Sequence, residues 1–440
     1  MGQHSMVNPP RKIAGALVAG AMTGGLFAGA ELALAPTADA SCASFFGIGS
    51  SADCSSTLFS VAVALGDGSV AHADGLFGAA FVVGTNSTAA TSSGSIVNLA
   101  TSLFGDNNKV TAPGGLLNFA TNIGGNDNTV STQGSLVNTA TNLFGSGNTV
   151  TTQGGYGNWA RNVLGDNTTV AVSGGYANWA RNFAGNGNKV TIQSGAVNTA
   201  RNFFGNTNTV QIQGGYGSLA RNAFGDGNEV STTIGYSNLA TNFLGSKNKV
   251  SSTGGFFNGA RNIVGSGNEL LVGGPGSNVN LGLNALSGGN TLSAAGNLNA
   301  ALNSGGSDNT ISAGGPGNVN AGFNFFGKSN TVTAGPGPLT LAGSVFRDGL
   351  AVTQTRPGIA INNNTFGGAA ATTGQNTSAR TANEAPNGDG PTTKPVSHRM
   401  EQSSTSTRIA ASIKNVKDAV NRVVGTRDEP APKHRADGTG

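Results

Sequence analysis

The sequence predicts an all-β protein: a single-chain β-solenoid of about 14 coils followed by a disordered tail. Three observations predict it. From about residue 91 to residue 270 the chain repeats every 20 residues without insertion or deletion. Ala100, Ala120, Ala140, Ala160, Ala180, Ala200, Ala220, Ala240 and Ala260 form one column, and Gly105, Gly125, Gly145, Gly165, Gly185, Gly205, Gly225, Gly245 and Gly265 another. Each copy also holds an alternating, β-branched segment such as Asn148-Thr149-Val150-Thr151-Thr152, the pattern of a half-buried strand. A short fixed period makes each copy a unit that buries its apolar side only against its neighbours. Without the period, 71 glycines in 440 residues would read as low complexity.

The N-terminal segment carries Arg11 and Lys12, an apolar run from Ile13 to Ala30, and Ala38-Asp39-Ala40. These are the parts of a secretory signal peptide cleaved after Ala40, so residues 1–40 are assigned to export. A transmembrane anchor is the rival reading. Glycines inside the run and the small-residue site favour the signal.

Residues 41–57 form an N-terminal cap. It holds the only two cysteines, Cys42 and Cys54, which in an exported chain are expected to pair. A loop of that size contributes roughly 3 kcal/mol in the chain-entropy model. A lipoprotein reading of Cys42 lacks the Leu-Ala-Gly/Ala stretch that should precede it.

Residues 58–345 are the solenoid. The first coils are Ser60 to Gly66 and Gly78 to Gly84; strict copies run from Ser95 to Leu270, and looser ones follow, with Gly274-Pro275 and Gly315-Pro316 at corners. In the first strand of each copy the inward residues are Val110, Val130, Val150, Val170, Val190, Val210, Val230, Val250 and Leu270. In the second segment Val61, Val63 and Leu65 alternate with Ser60, Ala62 and Ala64. The valine parity, carried downstream, puts Ala160, Asn162 and Leu164 inside. Asn122, Asn142, Asn162, Asn182, Asn202, Asn222, Asn242 and Asn262 are then buried one above another. Buried amides are tolerated only when bonded, and stacked identical amides can bond to the coil on either side. A competing reading makes Tyr156 to Leu164 a helical turn, since Tyr156, Trp159, Ala160, Val163 and Leu164 fit helical spacing. Its Gly and Asn content disfavours a helix. Fourteen coils stacked about 4.8 Å apart give a rod of about 65 Å.

Residues 346–440 are rich in Thr, Ser, Asn, Pro and charge and show no period, as a disordered tail does. Within it Ile409, Ile413, Val416 and Val420 recur at helical spacing among Arg408, Lys414, Lys417 and Arg422, a short basic amphipathic helix over about 408–423. The tail after Leu350 holds 11 Lys and Arg against 7 Asp and Glu, so much of the net charge of +4 lies there. So weak a balance does not imply nucleic acid.

The first coils, Ser60 to Ala71, resemble the head repeats of trimeric autotransporter adhesins, which use Ser-Val-Ala-Ile-Gly and a following small-residue strand. The 20-residue period and the Asn columns depart from that family, and no C-terminal membrane translocator is evident. The whole chain more closely resembles the exported Gly/Asn-rich repeat proteins of mycobacteria, in its signal, its early Cys pair with Ala43 to Phe46 between, and its Gly-x-x-Asn-x-Val corners. It lacks a PE or PPE head. The resemblance implies a secreted or envelope protein without known catalysis.

The residues themselves also argue against an enzyme. Asp106, Asp166 and Asp226 share a corner but lie three coils, about 14 Å, apart. A working carboxylate pair needs roughly 5–9.5 Å. Among the four histidines only His72 lies in the stack, and no nucleophile–base or metal-ligand cluster can be assembled. Calcium rolls need Asp where these corners mostly carry Asn, as in Gly125-Asn126-Asp127-Asn128. No cofactor or metal is therefore expected. An ice-binding array is broken by charge in the outward column Lys109, Thr129, Thr149, Thr169, Lys189, Thr209, Glu229, Lys249, Glu269.

The expected working surface is the outer face of the second segment. Trp159, Arg161, Trp179, Arg181, Arg201 and Arg221 are its candidate ligand-binding residues, with Arg261 further on. Leu99, Phe119, Leu219 and Leu239 flank them on one side, and Ile123, Leu143, Val163, Phe183, Phe203 and Phe243 on the other. So large an apolar face on a secreted chain is expected to meet a second copy, a surface glycan, a lipid or a host protein. The expected function is a secreted or cell-surface, non-catalytic adhesion or structural role. The alternative is a carbohydrate- or lipid-binding module using the Arg/Trp stripe.

Overall fold

The computed structural model describes residues 41–49 and 51–366. The expected signal peptide and the expected helix over 408–423 lie outside these residues. The described chain is a β-solenoid of about 15 turns, one more than the sequence count, and none of its residues is helical.

Strands alternate between two sheets. After β1 (Ser41–Phe45), β2 (Cys54–Ser56), β3 (Val61–Leu65) and β4 (Val70–Ala73), the alternation continues to β32 (Ala351–Gln354), β33 (Gly358–Ile361) and β34 (Asn364–Phe366). The odd-numbered strands and β34 make an 18-stranded first sheet; the even-numbered ones make a 16-stranded second sheet. Each coil gives one strand to each sheet, and the coils pair in parallel. Strand β13 (Trp159–Asn162) pairs with β15 (Trp179–Asn182) as Trp159↔Trp179, Ala160↔Ala180, Arg161↔Arg181 and Asn162↔Asn182. The period therefore sets the register: each residue meets its own equivalent. Where the spacing drifts, the columns hold. Asn262, Asn284, Asn303 and Asn324 stay stacked although 22, 19 and 21 residues separate them, because the corners absorb the difference.

The core lies between the sheets. From the second sheet come Val110, Val130, Val150 and their equivalents through Leu270, all fully buried, as the alternation predicted. The first sheet contributes the Ala column and the Asn column. The parity read from the first coils was wrong in one respect. Ala62 and Ala64 are the buried residues of β3, while Val61 and Val63 are only partly covered and Leu65 is exposed. Leu164 is likewise exposed rather than internal, because it lies beyond the end of β13. The gap between the sheets explains this. The Ala column is the tight one: it holds only Ala and Gly, and a Cβ at Gly282 would press on the Val272 side chain.

The Asn column forms an unbroken ladder. Each Nδ2 donates to the Oδ1 one coil earlier, from Asn142→Asn122 at 2.7 Å through Asn202→Asn182 at 2.8 Å to Asn324→Asn303 at 2.8 Å. Two further Asn ladders line the corners. There a side-chain Oδ1 accepts the backbone N–H of the next coil, as in Asn118→Asn98 at 2.9 Å and Asn148→Asn128 at 2.9 Å. These satisfy corner amides that would otherwise be buried without partners.

Both ends are closed by reversed strands. At the N-terminal end β1 runs antiparallel to β3, and Cys42 and Cys54 are disulfide-bonded, linking β1 to β2. At the C-terminal end β34 folds back antiparallel on β33. Ordered strands thus extend to Phe366, past the boundary expected at residue 345.

Candidate functional site

The two outer faces of the solenoid differ in chemistry. On the second sheet the outward columns hold Thr129, Thr149 and Thr169 beside Thr111, Ser131 and Thr151. Thr111 Oγ1 donates to Ser131 Oγ at 2.9 Å. Charges of both signs occur there. Lys249 Nζ and Glu269 Oε1 lie 3.1 Å apart, and this hydrogen bond raises the lysine pKa, with the carboxylate's charge adding to it. As both side chains are about half exposed, the pair stabilises the fold by at most about 1 kcal/mol. Its contribution is present at neutral pH and is lost as pH rises through the raised lysine pKa. His72 also lies on this sheet, against Ser55 Oγ at 2.7 Å.

The outer face of the first sheet gathers the residues singled out from the sequence. Tyr156 to Leu164 is not a helical turn; residues 159–162 are strand β13, and so Trp159 and Arg161 point outward while Ala160 and Asn162 point in. Register places Arg161, Arg181, Arg201 and Arg221 in one column, one per coil, followed by Thr241 and Arg261. Trp159 and Trp179 stack with ring centroids 5.2 Å apart and 7° between planes. The Arg201 guanidinium lies over the Trp179 ring at 5.1 Å, Arg181 over Phe183 at 5.5 Å and Arg221 over Phe203 at 4.8 Å. The predicted residues thus form one continuous stripe.

Its electrostatics are one-sided. Burial pushes the Arg181 pKa down, and the neighbouring Arg161 and Arg201 push it further. A guanidinium stays charged near neutral pH regardless. The Nε–H groups of Arg161, Arg181, Arg201 and Arg221 and the Trp179 indole N–H are shielded from solvent, with no hydrogen-bond acceptor among the described residues. No acidic side chain stands in the three outward columns of this face from Leu99 to Ile263.

Two exposed aromatic columns at the corners beside this face were missed. At the corner preceding the strand, Tyr156, Tyr176, Tyr216 and Tyr236 stand exposed in a ladder of single-residue bridges outside the sheet. At the other corner Phe204 and Phe224 stack at 5.2 Å, exposed. Both recur at the same 20-residue spacing, so the signal was present; corners were read as glycine turns and not as surface.

The corner acids have a structural task. Asp106 Oδ1 accepts from the Thr85 N–H at 3.3 Å, Asp166 from Ser146 at 2.8 Å and Asp226 from Asn206 at 2.6 Å. Asn126 and Asn186 do the same in the intervening coils, so this column is another ladder tying one coil to the next.

No helix among the described residues is long and apolar enough to cross a membrane. Comparison with protein-family models, with curated proteins and with solved structures finds no match, and the fold and its two faces are read from the chain's own residues.

Proposed function

We propose that this chain is an exported, non-catalytic solenoid that works by surface contact, in an adhesion or structural role at a cell envelope, through the outer face of its first sheet. The observation that carries the reading is the asymmetry of the two faces. A hydroxyl-rich, mixed-charge face backs an aromatic face whose only charges are arginines. A water-soluble rod with no partner would have no physical reason to keep the second. The Cys42–Cys54 disulfide supports an oxidising compartment.

Fractionation of the native cell tests this. The protein should be recovered from the envelope or the medium, with both thiols resistant to alkylation until reduced. Recovery from the cytoplasm with free thiols would overturn it. A second reading, a carbohydrate- or lipid-binding module, is favoured by the stacked Trp159–Trp179 pair and the Arg column beside it.

A further inference from the structure

We propose that the outer face of the first sheet docks flat on an anionic lipid surface, with its aromatic side chains in the interface and its arginines against the headgroups. This rests on the contact reading above and names the partner class.

The face has the required size. Nine coils from Leu99 to Val264 make it about 38 Å long and residues 159–164 make it about 17 Å wide, on the order of 600 Å² in all, with Thr and Arg positions among the apolar ones. Its charge is complementary to anionic headgroups. The arginine column faces outward with no acid among its outward neighbours, and four consecutive Nε–H groups have no protein acceptor among the described residues. The side chains are partly exposed, so an external anion can reach the column. Tryptophan on such a face suits the boundary between water and lipid, where an apolar ring and a polar edge are both accommodated.

The ring geometry separates a lipid from a sugar. A sugar stacks on a free aromatic face. Trp179 has Trp159 on one side and the Arg201 guanidinium on the other, so it offers mainly its edge. Phe204 is stacked in the same way on Phe224. Edges aligned in ladders make a flat apolar surface, suited to acyl chains and headgroup boundaries. A second copy fits less well, because face-to-face pairing would bring arginine columns into an apolar interface with no acid to compensate.

Trp159 and Trp179 are the only tryptophans in the chain, so intrinsic fluorescence reads this face directly. The probes are vesicles of phosphatidylcholine alone, vesicles of equal phosphatidylcholine and phosphatidylglycerol, and soluble polygalacturonate. The variants are Arg181→Thr with Arg201→Thr, and Lys189→Thr with Lys249→Thr on the opposite face. Threonine already stands in both columns, at Thr141 and Thr241 and at Thr149 and Thr209, so both pairs should fold.

Anionic vesicles should bind and shift the tryptophan emission to the blue, and neutral vesicles should bind far less. The arginine pair should weaken binding about thirtyfold, at about fivefold per charge. The lysine pair should change it less than twofold. Equal loss in both pairs, or equal binding to neutral vesicles, would overturn the proposal. Arginine-dependent binding to polygalacturonate without vesicle binding would overturn the lipid while leaving the contact face standing. A dimer in sedimentation that the arginine pair strengthens, without vesicle binding, would do the same in favour of a second copy. No binding to any probe and no effect of the arginine pair would remove both readings.

Discussion

At the scale of single residues, the fold depends on amides placed where hydrophobic side chains would be expected. Asn202 donates through Nδ2 to Asn182 Oδ1 and accepts from Asn222 Nδ2, both at 2.8 Å. Replacing it by leucine keeps the bulk and removes both bonds. Asn182 Oδ1 keeps a donor in Asn188 Nδ2 at 3.3 Å, while Asn222 Nδ2 is stranded. Asn202→Leu should therefore cost about 2–3 kcal/mol, the penalty of a buried unsatisfied donor together with imperfect packing. Urea unfolding followed by circular dichroism measures it; an unchanged midpoint would mean the ladder contributes nothing net. The arginines differ in kind. Their contacts within the chain are with aromatic rings, as Arg201 over Trp179 and Arg221 over Phe203, and Arg181 stands beside the like charges of Arg161 and Arg201.

At the scale of one coil, the difficulty is the corner. A coil of 20 residues must turn sharply to return in register, and it does so through residues in the left-handed region. Gly165, at φ 146°, is one of a glycine column in which a Cβ would meet the carbonyl oxygen of the next coil's glycine, here Gly185. Gly174, at φ 85°, is also left-handed, but a Cβ there finds its nearest neighbour at 3.9 Å. Gly174→Ala should cost about 1–2 kcal/mol, the left-handed penalty alone. Gly165→Ala should cost clearly more, and the difference between the two melting temperatures isolates the steric clash with the coil above. The coil is also the unit of insertion and deletion. Removing residues 167–186 joins Asp166 to Gly187 and leaves every column in register, so the shortened chain should fold with a single coil lost. Removing residues 167–176 instead would drive Trp179 and Ala180 into the slots of Thr169 and Val170, and should abolish the cooperative thermal transition.

At the scale of the whole molecule, a stack of coils is open-ended, and each terminal coil presents two strand edges. Here β1 and β34 run against the direction of the sheet they close, so a further parallel coil has no continuing strand to follow there. The disulfide anchors the first of these caps, between Cys42 in β1 and Cys54 in β2. Cys42→Ser with Cys54→Ser should lower stability by roughly 3 kcal/mol at that end. Hydrogen exchange should show the loss confined to the first coils, since nearest-neighbour coupling carries it no further. Light scattering should show end-to-end association rising as the cap frays; a monodisperse variant would show that β1 holds without the bond.

The sequence by itself determined the stack. A strict covalent period brings each residue against its own equivalent, so Val150 meets Val170 and Asn162 meets Asn182 whatever the details of the turn. It also determined that the buried asparagines bond along the stack, because the identical amide one coil away is the neighbour that recurs at every level. It placed Ala160 and Asn162 inside correctly, but it misjudged which residues of the first coils share that side. Val61 and Val63 looked internal by hydropathy, yet the inward column beside them holds only Ala and Gly through the stack, and the next holds mainly Asn. Nor did it reveal that tyrosine and phenylalanine corners stand exposed beside the face. A glycine-rich turn gives no indication of where its neighbours point until the coil closes. Tertiary structure decided what period alone leaves open: the width of the core, which pushes large side chains outward, and the reversed strands β1 and β34, which close the first sheet at its two edges.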